Sequence, residues 1–215
     1  MSQENRFIYR VKYTKGEKVK YISHLDFLRC VNRSFKRGKI PVKYSNGFNP
    51  HVLLNIALPC PVGVSSVCEL LDIELYEKMD CEEIKTRLSS ALPVGIEVLE
   101  VWERKDLPDF FEISSALYEA SFVADKEIDI EKFIAEKEVI IEKKSKRGMK
   151  EVNLKDFIKS VNVTDANHTQ HKINAVIDAG SKSNLKPELL LNAMAGYFGA
   201  AFKDIKVERK EIYFG

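Results

Sequence analysis

The residues with the clearest chemical potential lie between Arg10 and His51. Two histidines, His24 and His51, bracket a stretch that also holds Arg29, Arg33, Lys36 and Arg37. A neutral imidazole can bind metal or exchange a proton near pH 7, so His24 and His51 are candidates for an acid–base pair. No HxxxH or HExxH spacing is present and no third ligand can be named, so no metal site is expected. The four helix cations have a different use. At 100° per residue they share an arc of roughly 100°, interrupted only by Asp26. Guanidinium and ammonium groups clustered on one face repel one another unless an anion lies opposite, and phosphate matches them best. Arg10 and Lys12 on the preceding strand, with Lys43 beyond the helix, widen the expected polyanion surface.

Tyr44-Ser-Asn-Gly-Phe-Asn-Pro-His51 is the least generic segment. Gly47 permits a positive φ, Pro50 stiffens the exit, and Ser45, Asn46 and Asn49 can close side-chain turns on their own backbone. Turn chemistry leaves Tyr44, Phe48 and His51 unexplained, and an aromatic ring on a polar loop can stack on a base. His168-Thr-Gln-His171 is an HxxH pair whose rings would diverge on a strand, so it reads as surface.

The elements that must position these groups follow from periodicity. Phe7 to Tyr13 alternates as a strand, and Ser23 caps a helix with Asp26 at its third position. On that helix Leu25, Leu28, Val31 and Phe35 form the core face, with Phe27 at its edge. Pro41–Ser45 and His51–Leu58 look extended. Val67–Tyr76 is a strand, Asp80 caps a helix over 80–91, and Ile96–Trp102 closes the order β-α-β-β-α-β. Residues 103–116 read as a connector. The order then recurs through strands at Leu117–Val123, Val139–Lys143, His171–Ile177 and Ile205–Phe214, with helices at Ile130–Lys137 and Pro187–Phe198. Lys144–Lys150 reads as a charged turn and Asn153–Val161 as a short inserted helix. The expected fold is α+β: two tandem ferredoxin-like (βαββαβ) units with antiparallel sheets, at 1–104 and 116–215, the second with an irregular middle.

Composition supports a packed core, with 45% apolar and 31% charged residues. The net charge of +2 conceals an asymmetry. Residues 1–60 carry 12 Lys+Arg against 3 Asp+Glu, which leaves 22 against 29 for the rest of the chain. One end is therefore suited to a polyanion. The polar start Met1-Ser-Gln-Glu-Asn and the absence of a long apolar run argue against a leader or a membrane span. Cys30, Cys60, Cys68 and Cys81 form no CxxC and read as free thiols, so a cytoplasmic location is expected.

Taken together, Tyr21-Ile-Ser-His-Leu-Asp26, Arg29, Arg33, Lys36-Arg37, Pro41 and Tyr44–His51 resemble the hallmark of the radical-SAM-linked, or radical-SAM-associated, protein family, also known as a bacterial domain of unknown function. Leu58-Pro, Val62-Gly-Val, Ser65, Glu69, Leu71-Asp72 and Leu92-Pro-Val-Gly95 extend the match over the first 100 residues or so. The resemblance implies a stand-alone bacterial accessory protein whose partner is a radical SAM enzyme. S-adenosylmethionine (SAM) and the iron–sulfur cluster are expected on that partner, because this chain has no CxxxCxxC and needs no cofactor of its own. Its implied motif positions are Ser23, His24, Asp26, Arg29, Arg33, Arg37, Tyr44, Ser45, Gly47, Phe48, Asn49, Pro50 and His51. Three functions follow as expectations. One is a module binding RNA or a ribosomal component for the partner, with no membrane role. The others are an RNA-processing or transferase enzyme using His24 and His51, and a pure protein-interaction subunit.

Overall fold

A computed structural model describes residues 6–145 and 148–215. Among these residues ten strands and four α-helices make a mixed α+β protein. It divides into two compact units, Met1–Phe110 and Phe111–Gly215.

The first unit runs β1 (Phe7–Lys15), α1 (His24–Arg37), β2 (Leu54–Ile56), β3 (Val64–Leu75), α2 (Cys81–Ala91) and β4 (Val98–Glu103). All its strand pairs are antiparallel, in the order β4-β1-β3-β2. Ser23 accepts the amide of Asp26, and Asp80 accepts those of Glu82 and Glu83, so both helices begin at capping side chains. Tyr9, Val11 and Tyr13 on β1 join Leu71, Ile73 and Leu75 on β3 under Phe27, Val31, Phe35, Ile84 and Leu88 from the helices.

The buried face of α1 differs from the expected one. It is centred on Phe27, Val31, Ser34 and Phe35, whereas Leu25 is 62% exposed. The Ser34 hydroxyl donates to Cys30 O and Ala91 O, each at 3.0 Å, so a serine is buried against the end of α2. That contact turns the helix so that Leu25 lies roughly 130° from the centre of the buried arc.

The opposite face of the sheet is ionic. Arg10, expected at the polyanion surface, is only 3% exposed. It stands directly across from Asp72 and grips it with a fork, Nε–Oδ1 2.7 Å and Nη2–Oδ2 2.9 Å. Its Nη1 donates to Pro108 O at 2.8 Å, and its guanidinium lies 4.1 Å from the Phe110 ring centre. Arg104 Nε reaches the same Asp72 at 2.9 Å. Arg10 is thus consumed inside the fold, because strand pairing places a carboxylate opposite it.

The second unit runs β5 (Ile113–Ala124), α3 (Ile130–Ala135), β6 (Ile140–Ser145), β7 (Gly148–Asn153), β8 (Ile158–Asn167), β9 (Gln170–Asp178), α4 (Pro187–Phe198) and β10 (Phe202–Phe214). Four strands follow the antiparallel order β10-β5-β9-β8, while β6 and β7 pair as a separate hairpin. Phe133, Leu190, Leu191 and Met194 are buried on the helices. Gly199 ends α4 at φ 55°, the left-handed conformation that glycine adopts without cost.

Three expectations fail here. The charged turn expected at Lys144–Lys150 is largely strand, with Lys146 and Arg147 outside the described residues, as is the polar start Met1–Asn5. The helix expected at Asn153–Val161 is a single 3-10 turn, Leu154–Phe157, followed by β8. Within its unit β8 pairs only with β9 and is largely exposed, so its sequence lacks the apolar alternation of a covered strand. His171 is buried, not on the surface, because it shares strand parity with Ile173, Ala175 and Ile177. Its ring stacks on Phe122 at 5.5 Å, and neither ring nitrogen has a hydrogen-bond partner among the described residues.

Two measurements test this packing. Replacing Arg10 with Ala leaves Asp72 a buried carboxylate short of its main partner and lowers stability by roughly 3–5 kcal/mol in urea unfolding. Burial holds the His171 pKa below its ordinary 6.5, so the unfolded chain takes up this proton first. The stability contribution is complete above that value and declines as the pH falls through it towards the folded-state pKa. Unfolding midpoints measured across this range fall with pH, and His171→Phe, which keeps the stack but cannot titrate, flattens the fall.

Candidate functional site

The Tyr44–His51 segment forms a hairpin that leaves the edge of the first sheet. At its root, the Lys43 amide donates to Glu74 O at 2.7 Å, Leu53 N to Lys43 O at 2.8 Å, and Glu74 N to Leu53 O at 3.1 Å. The Glu74 side chain adds a second tie. Arg6 forks it at 3.2 and 2.6 Å, and Lys43 Nζ reaches the same carboxylate at 3.2 Å. Arg6, and after it Lys43, hold this carboxyl below its usual range despite its burial.

Above the root the neck is closed three times. Tyr44 bridges Val52, Ser45 N donates to His51 O at 2.8 Å, and His51 N donates to Ser45 Oγ at 3.1 Å. Ser45 Oγ also lies 2.8 Å from His51 Nδ1. A hydroxyl that already accepts the backbone amide can pass its one proton to Nδ1, so His51 is a structural clamp. Beyond the neck Gly47 turns at φ 117°, and every residue from Asn46 to His51 is exposed. Phe48 stands wholly in solvent at the tip.

His24 lies elsewhere. It lines a small cleft at the start of α1 with Tyr13, Lys15, Ile22, Ser23 and Glu69, whose volume of about 20 Å³ suits a single water. The cleft is level with Glu69 on β3 and the hairpin root with Glu74, about 17 Å apart along a strand rising roughly 3.3 Å per residue. His51 is not among the residues of the cleft. The structure does not assemble the expected histidine pair.

The helix cations separate into distinct roles. Asp26 takes Arg29 Nη1 at 3.0 Å as well as the Ser23 hydroxyl, and Ser23 followed by Arg29 lowers its pKa. Arg37 donates twice to Ala91 O, at 3.2 and 2.5 Å, so it caps the last carbonyl of α2. Arg33 and Lys36 remain exposed and make no ion pair among the described residues. Lys12 is half-buried. Among the described residues, no hydrogen bond or ion pair of Arg29, Arg33, Lys36 or Arg37 reaches the loop.

Sequence reasoning missed Glu74 with Arg6 as the loop anchor. It also missed Tyr76, an exposed ring whose hydroxyl accepts Tyr44 N at 3.4 Å. The available signal was the set of carboxylates at Glu69, Asp72 and Glu74 on an otherwise apolar strand.

The neck makes a testable unit. Ser45→Ala removes both hydroxyl contacts, and amide hydrogen exchange in residues 46–50 is expected to accelerate while thermal unfolding of the chain barely changes. Unchanged exchange would show that the backbone ladder alone fixes the loop.

The family described as "uncharacterized protein conserved in bacteria" matches residues 8–187. No curated protein matches the chain. A solved structure, that of an unknown protein from Galdieria sulphuraria, is similar at 12% identity, covering 95% of this chain and 99% of that one, with a TM-score of 0.28. Among the described residues no helix is long and apolar enough to cross a membrane, and the four cysteines are free thiols.

Proposed function

The chain belongs to that family, DUF2344, and on this premise we propose that it is a binding module that presents RNA, or a ribonucleoprotein component, to a partner radical SAM enzyme. The observation that carries this reading is the Phe48 ring, wholly exposed on a loop fixed at both root and neck. A pre-ordered aromatic loses little conformational freedom on binding, and stacking on a base contributes about 1–3 kcal/mol. Arg33 and Lys36, uncompensated on the outer face of α1, supply phosphate contacts. The scaffold is a pair of ferredoxin-like units, a reading supported by the matching strand orders β4-β1-β3-β2 and β10-β5-β9-β8.

The radical SAM partner follows from the sequence resemblance. A surface suited to a protein partner lies around the start of α1, where Tyr21 and Leu25 are exposed. Val62 is exposed as well, beside Gly63, whose backbone packs near the Tyr21 ring. The separation of His24 from His51 weighs against the acid–base reading.

Binding of mixed bacterial RNA, measured at rising salt, tests the proposal. The wild-type chain binds with a steep salt dependence. Phe48→Ala weakens binding by on the order of tenfold, and Arg33→Ala with Lys36→Ala lowers the salt slope by about two. Absence of binding at low salt, or binding indifferent to both changes, overturns it.

A further inference from the structure

The second unit has a basic cleft of its own. It opens between the β6–β7 hairpin, the loop 180–186 and the start of α4, and encloses about 880 Å³. Volumes of this order suit a small organic ligand or part of a longer one. Lys143, Lys150, Lys182 and Lys186 line it against Glu142 and Glu188, an excess of two positive charges.

Lys143 is held in an unusual way. Its ammonium donates to Asn184 O at 2.6 Å and lies 4.0 Å from the centre of the Phe157 ring. A carbonyl and a ring fix its position, and no carboxylate forms an ion pair with it among the described residues. Lys150 stands directly across from it in the β6–β7 ladder, and like charges in that register repel. Lys150, Lys182 and Lys186 likewise make no ion pair among the described residues. Helix α4 begins at Pro187, behind an N-cap, Lys186, that makes no side-chain cap, and Lys186, Glu188 and Leu189 line the same wall. The first turn therefore has no side-chain capping oxygen, and its acidic residue, Glu188, lies in the cleft wall. Met149, Val152 and Leu189 add an apolar wall.

We infer that this cleft binds a nucleotide, its phosphate lying between Lys143 and Lys150 and its base along the apolar wall. A phosphate there removes the lysine–lysine repulsion and compensates the ammonium over Phe157. Burial holds that ammonium below its usual pKa, an effect that Asp178 offsets only in part. The nucleotide is either free or part of an RNA strand. The strand form rests on the RNA-binding reading above and extends it to the second unit.

The test uses the full chain, with fluorescence anisotropy of a labelled oligouridine and competition by unlabelled ATP. Lys143→Met and Lys150→Met are compared with Phe48→Ala. Lys150 is exposed and supports nothing else among the described residues, so Lys150→Met keeps the test valid if Lys143→Met perturbs the fold. Each lysine change is expected to weaken oligouridine binding several-fold and lower its salt slope by about one. ATP that displaces the oligouridine, or binds directly in a lysine-dependent way, assigns the site to free nucleotide as well. Weakening by Phe48→Ala but by neither lysine change overturns this inference and leaves the RNA reading standing. Weakening by the lysine changes alone upholds the cleft and overturns the role of the loop. Failure of both probes to bind overturns both.

Discussion

Two buried carboxylates on β3 organise the first unit. A buried carboxylate is tolerated only when cations and hydrogen bonds replace its hydration, and each here recruits a set of partners. Asp72 draws in Arg10 and Arg104 and ties β1 to the segment after β4. Glu74 draws in Arg6 and Lys43 and so fixes the point where the hairpin departs from the sheet. The apolar face of the same strand binds both helices, and the root of the loop is hydrogen-bonded to this strand at Glu74. A basic first sixty residues therefore serve two ends. Part of the positive charge is internal, satisfying β3, and part remains outside at Arg33 and Lys36.

That division explains which features were legible in the sequence. Caps and periodicities are local, so the helices starting at His24 and Cys81 and the strands around Tyr9 and Ile73 were readable. The loop was also recognisable, because Asn46-Gly47 and Pro50 leave few other conformations. The partners of Arg10 and Arg37 were hidden for a shared reason. Each arginine is satisfied by a group distant in sequence, Asp72 or the Ala91 carbonyl, and nothing within a few residues reveals that pairing. Leu25 was misplaced because the contact between Ser34 and α2, not hydrophobicity, sets the rotation of α1. In the second unit β8 was hidden by its polarity as an edge strand. The burial of His171 could have been inferred, since Ile173, Ala175 and Ile177 follow it at every second position.

The two histidines illustrate how sequence proximity misleads. His24 and His51 flank one motif, yet β3 sets their anchor points five residues apart, and His51 serves the loop neck. What the surface presents instead is the Phe48 ring, the cations Arg33 and Lys36, and the exposed apolar side chains Tyr21 and Leu25. The hairpin that carries Lys143 and Lys150 also contributes to the wall of a cleft.

We propose that an RNA base stacks on Phe48. Ultraviolet crosslinking of the natively purified chain, followed by mass spectrometry of its peptides, tests it most directly. Nucleotide adducts are expected on the segment that carries residues 44–51. Crosslinked RNA found only on peptides outside that segment, or no crosslinked RNA at all, would contradict it.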